Sequence, residues 1–246
     1  MITDRSFKKY EGSGSGYTVA DGTERIGDLA FSGADGLEWI EIPETVKSIG
    51  NYAFMNCYSL KEIQLPRRAE HIGAGLFQNC WQLRSVKLPE GTRTLGTDMF
   101  ENCHALTEIS IPSTLEQAAR TSLSGCRSLR TIHIAPAQIE LLPPSARYTA
   151  VMSYMEANSR GGADEGSDII DGYVRERQNS FLDLAINRKS TEAVRYMMEH
   201  QLSDEDAIRE YIHRSAAAGR TEISALLLEA IKGSTPADAL NEDPFL

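Results

Sequence analysis

A 23-residue spacing of apolar residues runs through the first half of the chain and constrains its fold more than any other feature. Five columns of apolar side chains begin at Ile26, Phe31, Leu37, Ile40 and Ile42, and each continues through four further copies at this step. A single unit of this length cannot bury its own apolar side, whereas stacked units cover one another. The spacing therefore predicts five stacked coils over residues 26–134.

Each unit also contains the pattern L-x-x-I-x-L, as in residues 60–65, 83–88 and 106–111. The I-x-L part alternates as a strand with one buried face does. Proline follows it in four of the units and turns the chain, because proline cannot donate to a continuing ladder. We predict that each coil gives one short strand to a parallel sheet, and that the segment I-G-x-x-A-F crosses the opposite side of the coil.

These motifs resemble a known family. Residues 49–66, IGNYAFMNCYSLKEIQLP, are similar to the BspA-like leucine-rich repeats of bacteria, and the resemblance covers residues 7–136. It implies a leucine-rich-repeat solenoid over residues 1–136, in which a short hairpin at 7–27 caps five 23-residue repeats. In the last copy Ala118 and Leu123 replace Ile and Phe, as expected where a solenoid ends.

The four cysteines share one position of the repeat: they are Cys57, Cys80, Cys103 and Cys126. Neighbouring coils would place their Cα atoms about 5 Å apart, within the range of a disulfide. A metal site is the other functional alternative, but the spacing gives no C-x-x-C pair. A free cysteine packs as a small hydrophobic residue. We therefore predict a column of reduced, buried thiols.

The residues that flank the central Ile of each strand are predicted to point away from the core, toward the concave face of the solenoid. They are Trp39, Glu41, Glu62, Gln64, Ser85, Lys87, Glu108, Ser110, Thr131 and His133. Solenoid surfaces of this kind bind partners, and Trp39 is the foremost candidate because tryptophan is enriched at interaction hot spots. The alternative for Trp39 is that it only shields the first coil from water. Trp81, after Cys80, is interpreted as packing or as a second contact patch.

The second half of the chain changes to a helical period. Residues 137–171 are predicted to form a connector that contains a flexible loop at 157–171, and residues 172–246 to form helix pairs. The segments 191–200 and 221–232 both begin with T-E and continue as apolar helices, thirty residues apart. This arrangement resembles the ankyrin repeat and implies an all-α, ankyrin-like domain. The T-P-L-H motif is absent and the step is not 33 residues, so only the helix pairs are predicted. The fold class is an α+β repeat protein.

Charge and motifs narrow the function. The net charge is −10, and residues 137–246 carry 11 Lys and Arg against 19 Asp and Glu. Binding to nucleic acid or to an anionic membrane requires concentrated positive charge, so neither is predicted as a partner. The sequence contains no phosphate-binding loop, zinc-protease motif or esterase motif. We therefore predict no catalytic residues, no bound metal and no cofactor.

The sequence thus predicts a non-enzymatic module that binds a protein partner through the concave face, with a basic partner favoured by the acidic residues there. A bacterial cell-surface or secreted adhesion protein is the alternative that the family resemblance implies. A third alternative is an enzyme with a site between the two domains. Residues 1–16 contain no apolar stretch of signal-peptide length, which favours a cytoplasmic location over the cell surface.

Overall fold

The structure is a computed structural model that describes residues 5–159 and 166–234. The chain divides into two compact units, residues 1–150 and residues 151–246. The domain limits predicted from the sequence, at residues 136 and 171, remain predictions.

The first unit is built from short strands. They are β1 (Ser6–Phe7), β2 (Gly16–Thr18), β3 (Arg25–Ile26), β4 (Trp39–Glu41), β5 (Ser48–Ile49), β6 (Glu62–Gln64), β7 (His71–Ile72), β8 (Ser85–Lys87), β9 (Thr94–Leu95), β10 (Glu108–Ser110), β11 (Gln117–Ala118) and β12 (Thr131–His133). The six strands of three residues form one parallel sheet in the order β2, β4, β6, β8, β10, β12. The two-residue strands form a four-stranded parallel sheet, β1, β3, β5, β7, and a separate pair, β9 and β11. The fold is therefore the predicted parallel solenoid, but it has about six turns instead of the five predicted coils.

The predicted hairpin at residues 7–27 is wrong. Strands β1 and β2 belong to different sheets: β1 pairs in parallel with β3, and β2 pairs in parallel with β4. Tyr17 is the register partner of Ile40 and so occupies the same place in its coil. The N-terminal segment is thus a further coil rather than a hairpin, although its glycine-rich residues 12–16 obscure the period.

Aromatic rings close the N-terminal end of this coil stack. The ring centroids of Phe7, Tyr10 and Tyr17 lie 4.7, 5.6 and 5.7 Å from that of Phe31. Without them Phe31, the first ring of the repeat, would face water. Aromatic side chains bury large apolar areas, so these three rings cap the end of the solenoid.

The core is a stack of identical side chains, one from each coil. The rings of Phe31, Phe54, Phe77 and Phe100 are at most 1% exposed, and successive centroids are 5.3, 5.6 and 5.5 Å apart. The predicted apolar columns are confirmed as core, although a few members, such as Ile63 in β6, are only half-buried. The parallel pairing in register fixes these columns, because each residue lies directly over its equivalent in the preceding coil.

A left-handed residue turns the chain at the same place in each of five coils. Asn56, Asn79 and Asn102 have φ of 60°, 61° and 60°, and Gly33 and Gly125 have φ of 76° and 75°. Asparagine and glycine tolerate this conformation better than other residues. The asparagine side chains also form a ladder: Asn79 Nδ2 donates to Asn56 Oδ1 at 2.8 Å, and Asn102 Nδ2 donates to Asn79 Oδ1 at 2.9 Å.

The cysteines follow directly after this turn and are free thiols. Each thiol donates a hydrogen bond, at 3.1 Å, to the carbonyl oxygen of the phenylalanine 26 residues earlier, from Phe31 for Cys57 to Phe100 for Cys126. Burial raises the pKa of Cys57 and of Cys126 to about 12, and it raises the pKa of Cys80 and Cys103 as well. The four cysteines thus form the predicted column, in which Cys57, Cys80 and Cys103 are buried and Cys126 in the last coil is half-buried.

The two-residue strands lie on one side of the coils, and we call them together the second sheet. This sheet is interrupted between β7 and β9, which belong to the third and fourth of the five predicted coils. Equivalent backbone bonds join the coils on either side: Glu70 N donates to Lys47 O at 2.8 Å, and Glu116 N donates to Arg93 O at 2.8 Å. Within residues 5–159, no strand pairing joins β7 to β9. A cavity of about 480 Å³ lies at this position, lined by His71, Arg93 and their neighbours.

The predicted connector at 137–171 is largely helical. A 3₁₀ helix spans Pro136–Leu141, and helix α1 spans Pro144–Asn158, with the two prolines at the start of α1 rather than in an irregular segment. Gln138 Nε2 donates to the carbonyl oxygens of Ser113 and Leu115, at 2.7 and 2.8 Å, and so covers the end of the last coil. Of the predicted loop, residues 160–165 lie outside the described residues, and the flanking residues 157–158 and 167–171 are helical.

The second unit consists of helices, as predicted. They are α2 (Ser167–Arg175), α3 (Gln178–Arg188), α4 (Thr191–Glu199), α5 (Glu205–Ala217) and α6 (Thr221–Ser234). The thirty-residue step is visible in the turns between them. Lys189 and Gly219 both adopt positive φ, and Ser190 N donates to Ala185 O as Arg220 N donates to Ser215 O. The Ser190 side chain caps α4 by accepting from Ala193 N at 3.2 Å.

We expect Phe77→Ala to lower the free energy of unfolding by about 3–5 kcal/mol, because it empties a position between two stacked rings. Trp81→Ala is the matched control, since the Trp81 side chain is 48% exposed. Its expected cost is smaller, about 1–2 kcal/mol, because only half of the ring is covered by its neighbours. Urea denaturation of both variants and the wild type measures the difference. An equal loss in the two variants would show that the ring stack does not carry the stability.

We expect all four thiols to resist labelling by a disulfide reagent in the native state at about pH 8, because the thiolate is the reactive form and burial raises each pKa. Cys126 should react first, since it is the least buried. Addition of denaturant should expose all four at once. Native labelling as fast as that of the unfolded chain would contradict the buried column.

Candidate functional site: the exposed face of the six-stranded sheet

The outward side chains of the six-stranded sheet form two columns. The first column consists of Gly16, Trp39, Glu62, Ser85, Glu108 and Thr131, and the second of Thr18, Glu41, Gln64, Lys87, Ser110 and His133. We call these two columns the sheet face. All ten residues predicted as the binding surface lie on it; Ser110 and Thr131 are half-buried, and the other eight are exposed. Parallel strands bring successive members of a column within about 4.8 Å.

Trp39 is the largest apolar group on the sheet face, and it is 49% exposed. Its indole lies over Gly16 of the preceding coil, where a Cβ atom would come within 2.0 Å of the ring. The glycine therefore makes room for the indole against the backbone of the N-terminal coil. One side of the ring covers a coil, as the shielding interpretation predicts, while about half of its surface remains open to solvent, and its role in binding stays a prediction.

Acidic side chains outnumber basic ones on the sheet face. Glu41 accepts a hydrogen bond from the Thr18 hydroxyl at 3.1 Å, and Glu108 Oε1 lies 2.8 Å from His133 Nε2. Within the described part of the chain Glu62 forms no ion pair, and Lys87 is the single lysine of the face. The result is an open, mainly acidic surface with one exposed indole near its N-terminal end.

The last two strands also bring together a serine, a histidine and a carboxylate. Ser110 is the register partner of His133, and His133 contacts Glu108 on the same strand as Ser110. Nucleophilic catalysis requires a hydrogen bond between the nucleophile and its base. In residues 5–159 no hydrogen bond joins Ser110 to His133, and the Glu108 and His133 side chains are more than half exposed. This geometry suits recognition better than catalysis.

A second column of rings follows the cysteines, half-buried at Tyr58 and exposed at Trp81 and His104. The ring of Trp81 lies 4.3 Å from that of Tyr58 and 6.4 Å from that of His104, measured between centroids. Of the two sequence interpretations of Trp81, packing between neighbouring coils is thus observed, although half of its side chain stays exposed. The 23-residue spacing from Tyr58 through Trp81 to His104 is the signal in the sequence that could have predicted this column.

A polar cluster in the helical unit was not predicted. The Tyr196 hydroxyl donates to Asp171 Oδ1 at 2.9 Å, and His200 Nδ1 lies 2.9 Å from Asp171 Oδ2. The rings of Tyr196 and His200 stack at 4.0 Å. Burial and the Asp171 carboxylate raise the pKa of Tyr196, so its phenol stays protonated and serves as a donor. These hydrogen bonds link α2 to α4 and to His200 at the end of α4. No sequence motif marks it, because the residues are 25 and 29 positions apart.

Two further observations concern the same described ranges, 5–159 and 166–234. No group of three or more His, Cys, Asp and Glu residues is arranged to hold a metal ion. None of the helices there has the length and apolar character needed to span a bilayer.

Comparison with known proteins agrees with the geometry of the first unit. The chain is similar to a crystal structure of a leucine-rich cell surface protein from Faecalibacterium prausnitzii, with 29% identity and a TM-score of 0.52. It also matches the fold of a leucine-rich repeat protein from Eubacterium ventriosum, with 23% identity and a TM-score of 0.51. Each match covers 55% of this chain and 37% of the other, so the chain spans well under half the length of these relatives.

Comparison with curated proteins gives no match. The family model for the BspA type leucine rich repeat region matches residues 2–146 in six copies, which agrees with the six strands of the larger sheet. This match covers more than half of the sequence and includes the N-terminal coil that the sequence analysis assigned to a hairpin. The chain therefore belongs to the BspA-type leucine-rich repeat family.

Proposed function

We propose that the chain is a non-enzymatic module that binds a basic protein partner through the sheet face. One observation carries this proposal: strands in register place an exposed indole and three glutamates on a single open surface, where Lys87 is the one lysine. We expect this face to be the concave side of the solenoid. Trp39 contributes the apolar contact, and Glu41, Glu62 and Glu108 contribute the charge.

The chemistry of the face favours a macromolecular ligand over a small one. Its polar groups are distributed along six strands instead of converging in a pocket, whereas small-molecule sites are concave and enclosed. Many weak contacts over such a surface act together when the partner is large. Complementary charge increases the rate of association and its sensitivity to salt more than it increases affinity. A basic protein surface meets these requirements, and nucleic acid and anionic lipid do not.

We further propose that the helical unit is an ankyrin-like array of two helix pairs, α3 with α4 and α5 with α6. The support is the repetition, after thirty residues, of the same positive-φ turn and the same backbone bond across it. Equivalent turns in successive pairs are what a repeat architecture requires.

A second candidate function is adhesion at the cell surface. It is favoured by the similarity to the protein from Faecalibacterium prausnitzii, whose description is that of a cell surface protein. A cytoplasmic location is the competing proposal. Fractionation of the native cells, with antibody detection of this chain on intact and on lysed cells, distinguishes the two. Detection on intact cells would assign the protein to the surface, and detection only after lysis to the interior.

We expect Trp39→Ala, and separately the pair Glu62→Lys with Glu108→Lys, to weaken binding of the partner by about tenfold or more. The partner is first captured on the immobilised chain and identified, and affinities are then measured by calorimetry. Glu11→Lys with Glu90→Lys is the matched control, since both glutamates are exposed and lie off the sheet face. Unchanged affinity in both test variants, with the fold intact, would place the binding site elsewhere.

We expect Gly16→Ala to reduce affinity for the same partner, although it deletes no contact group. The added Cβ would collide with the indole and displace it from its position over the N-terminal coil. The expected loss is smaller than that of Trp39→Ala, because the ring is still present. The indole fluorescence spectrum monitors the displacement independently of binding. If the indole is displaced and the affinity is unchanged, Trp39 does not contact the partner.

A further inference from the structure

A second surface with a defined chemistry lies on the helical unit, between α4 and α6. A cavity of about 700 Å³ opens there and adjoins another of about 430 Å³. Arg195, Leu226 and Glu229 line both, so the two cavities form one continuous groove along the helix pair. We call it the α4–α6 groove. It belongs entirely to the second unit and is separate from the sheet face.

Apolar side chains line part of the groove, among polar side chains from both helices. Ile208 and the completely buried Met197 close its base, and the half-buried side chains of Met198 and Leu226 form its walls. Leu226 and Leu227 are adjacent in the sequence, but they lie on different sides of α6. Leu227 is buried in the core of the unit, and Leu226 turns toward the groove. Helix α6 thus presents apolar side chains on two faces, and only one of these faces is covered within the described residues.

The rim of the groove is acidic. Glu199 lies at the end of α4. Glu222 and Glu229 lie on the same face of α6, about two turns apart. All three side chains are exposed, and within the described ranges none of them forms an ion pair. Arg195 is the one basic residue that lines either cavity. A groove in which apolar side chains stand among carboxylates therefore matches a ligand that carries both apolar and positively charged groups.

The lining positions repeat as helix faces do. On α6 they are Glu222, Ala225, Leu226, Glu229 and Ala230, which recur at intervals of three and four residues. The span from Glu222 to Ala230 is about 12 Å long at 1.5 Å per residue. An amphipathic helix lays its apolar face into a groove of this kind through residues at i, i+3, i+4 and i+7. Two turns of such a helix would fill the described length.

A groove of this shape could hold a helix from a second copy, a segment of the same chain or a helix of another protein, and their charges distinguish them. A second copy of the chain has a net charge of −10 and would bring like charge to an acidic rim. The chain's own residues 235–246 contain Asp238, Glu242 and Asp243 and no Lys or Arg, so they are mismatched in the same way. We infer that the α4–α6 groove binds a basic amphipathic helix of another protein.

The inference is tested on the full chain with a fluorescent peptide of about 14 residues, in which Leu recurs at helical spacing and Lys occupies the other positions. Two control peptides are used: one has Glu in place of Lys, and one has the same composition in a shuffled order. We expect saturable binding of the first peptide at about 50 mM salt, weakened at higher salt by screening. Failure of the first peptide to bind, or equal binding of all three, would overturn the inference.

Matched variants assign the binding to the groove. Glu199→Lys with Glu229→Lys is expected to weaken peptide binding by about tenfold or more. Glu11→Lys with Glu90→Lys makes the same change in net charge at residues of the first unit that do not line the groove, and should change the affinity by less than about twofold. Equal losses in the two pairs would show nonspecific attraction to an acidic protein and would overturn the inference.

A second pair of variants tests the apolar part of the groove. Leu226→Gln removes a wall of the groove, whereas Leu228→Gln changes a 45% exposed leucine of the same helix that does not line it. We expect about a tenfold loss for the first and little change for the second. The thermal midpoint of each variant checks that the helical unit is folded. Equal affinity of the two leucine variants would contradict a helix seated between α4 and α6.

Discussion

The contact on which the first unit depends is the stacking of one phenylalanine ring on the next. Around each ring the backbone is held at the same place: a cysteine thiol of the following coil bonds to the phenylalanine carbonyl, and an asparagine or glycine in left-handed conformation turns the chain just before that cysteine. A coil longer or shorter by one residue would lose its ring, its thiol bond and its turn together. The constant step of 23 residues is the result of this shared requirement.

The repeated part of the fold could be predicted from the sequence because identical coils repeat the same apolar positions. The segments that depart from the repeat could not be predicted in this way. Strand β1 is offset from β3 by 19 residues and not 23, so Phe7 does not fall into the column that its ring extends. Helix α1 buries Ala150, Val151, Met152 and Met155, neighbouring residues that together form no single apolar stripe. Without a stripe, a helix resembles an irregular connector.

The candidate site could also be predicted only where a regular backbone pattern determines it. Strand alternation predicted which side chains share the sheet face, because the period of two is a property of the backbone. The position of the Trp39 indole over Gly16 depended on the N-terminal coil, whose course was predicted wrongly. The α4–α6 groove was not predicted either, because apolar residues on a helix do not indicate which of them face a neighbour. Leu226 and Leu227 are adjacent in sequence, and only the packing of α4 against α6 separates their roles.

The missing pairing between β7 and β9 marks the place where the solenoid should open most easily. Neighbouring coils elsewhere are joined by backbone bonds in two sheets. At this junction the second sheet contributes none, while the β8–β10 pairing of the six-stranded sheet and the ring contact between Phe77 and Phe100 remain. Repeat proteins open where the interface between neighbours is weakest. The second sheet should therefore part locally at this junction, so that the amide protons of Arg93 and Thr94 exchange with solvent sooner than their equivalents in the other coils.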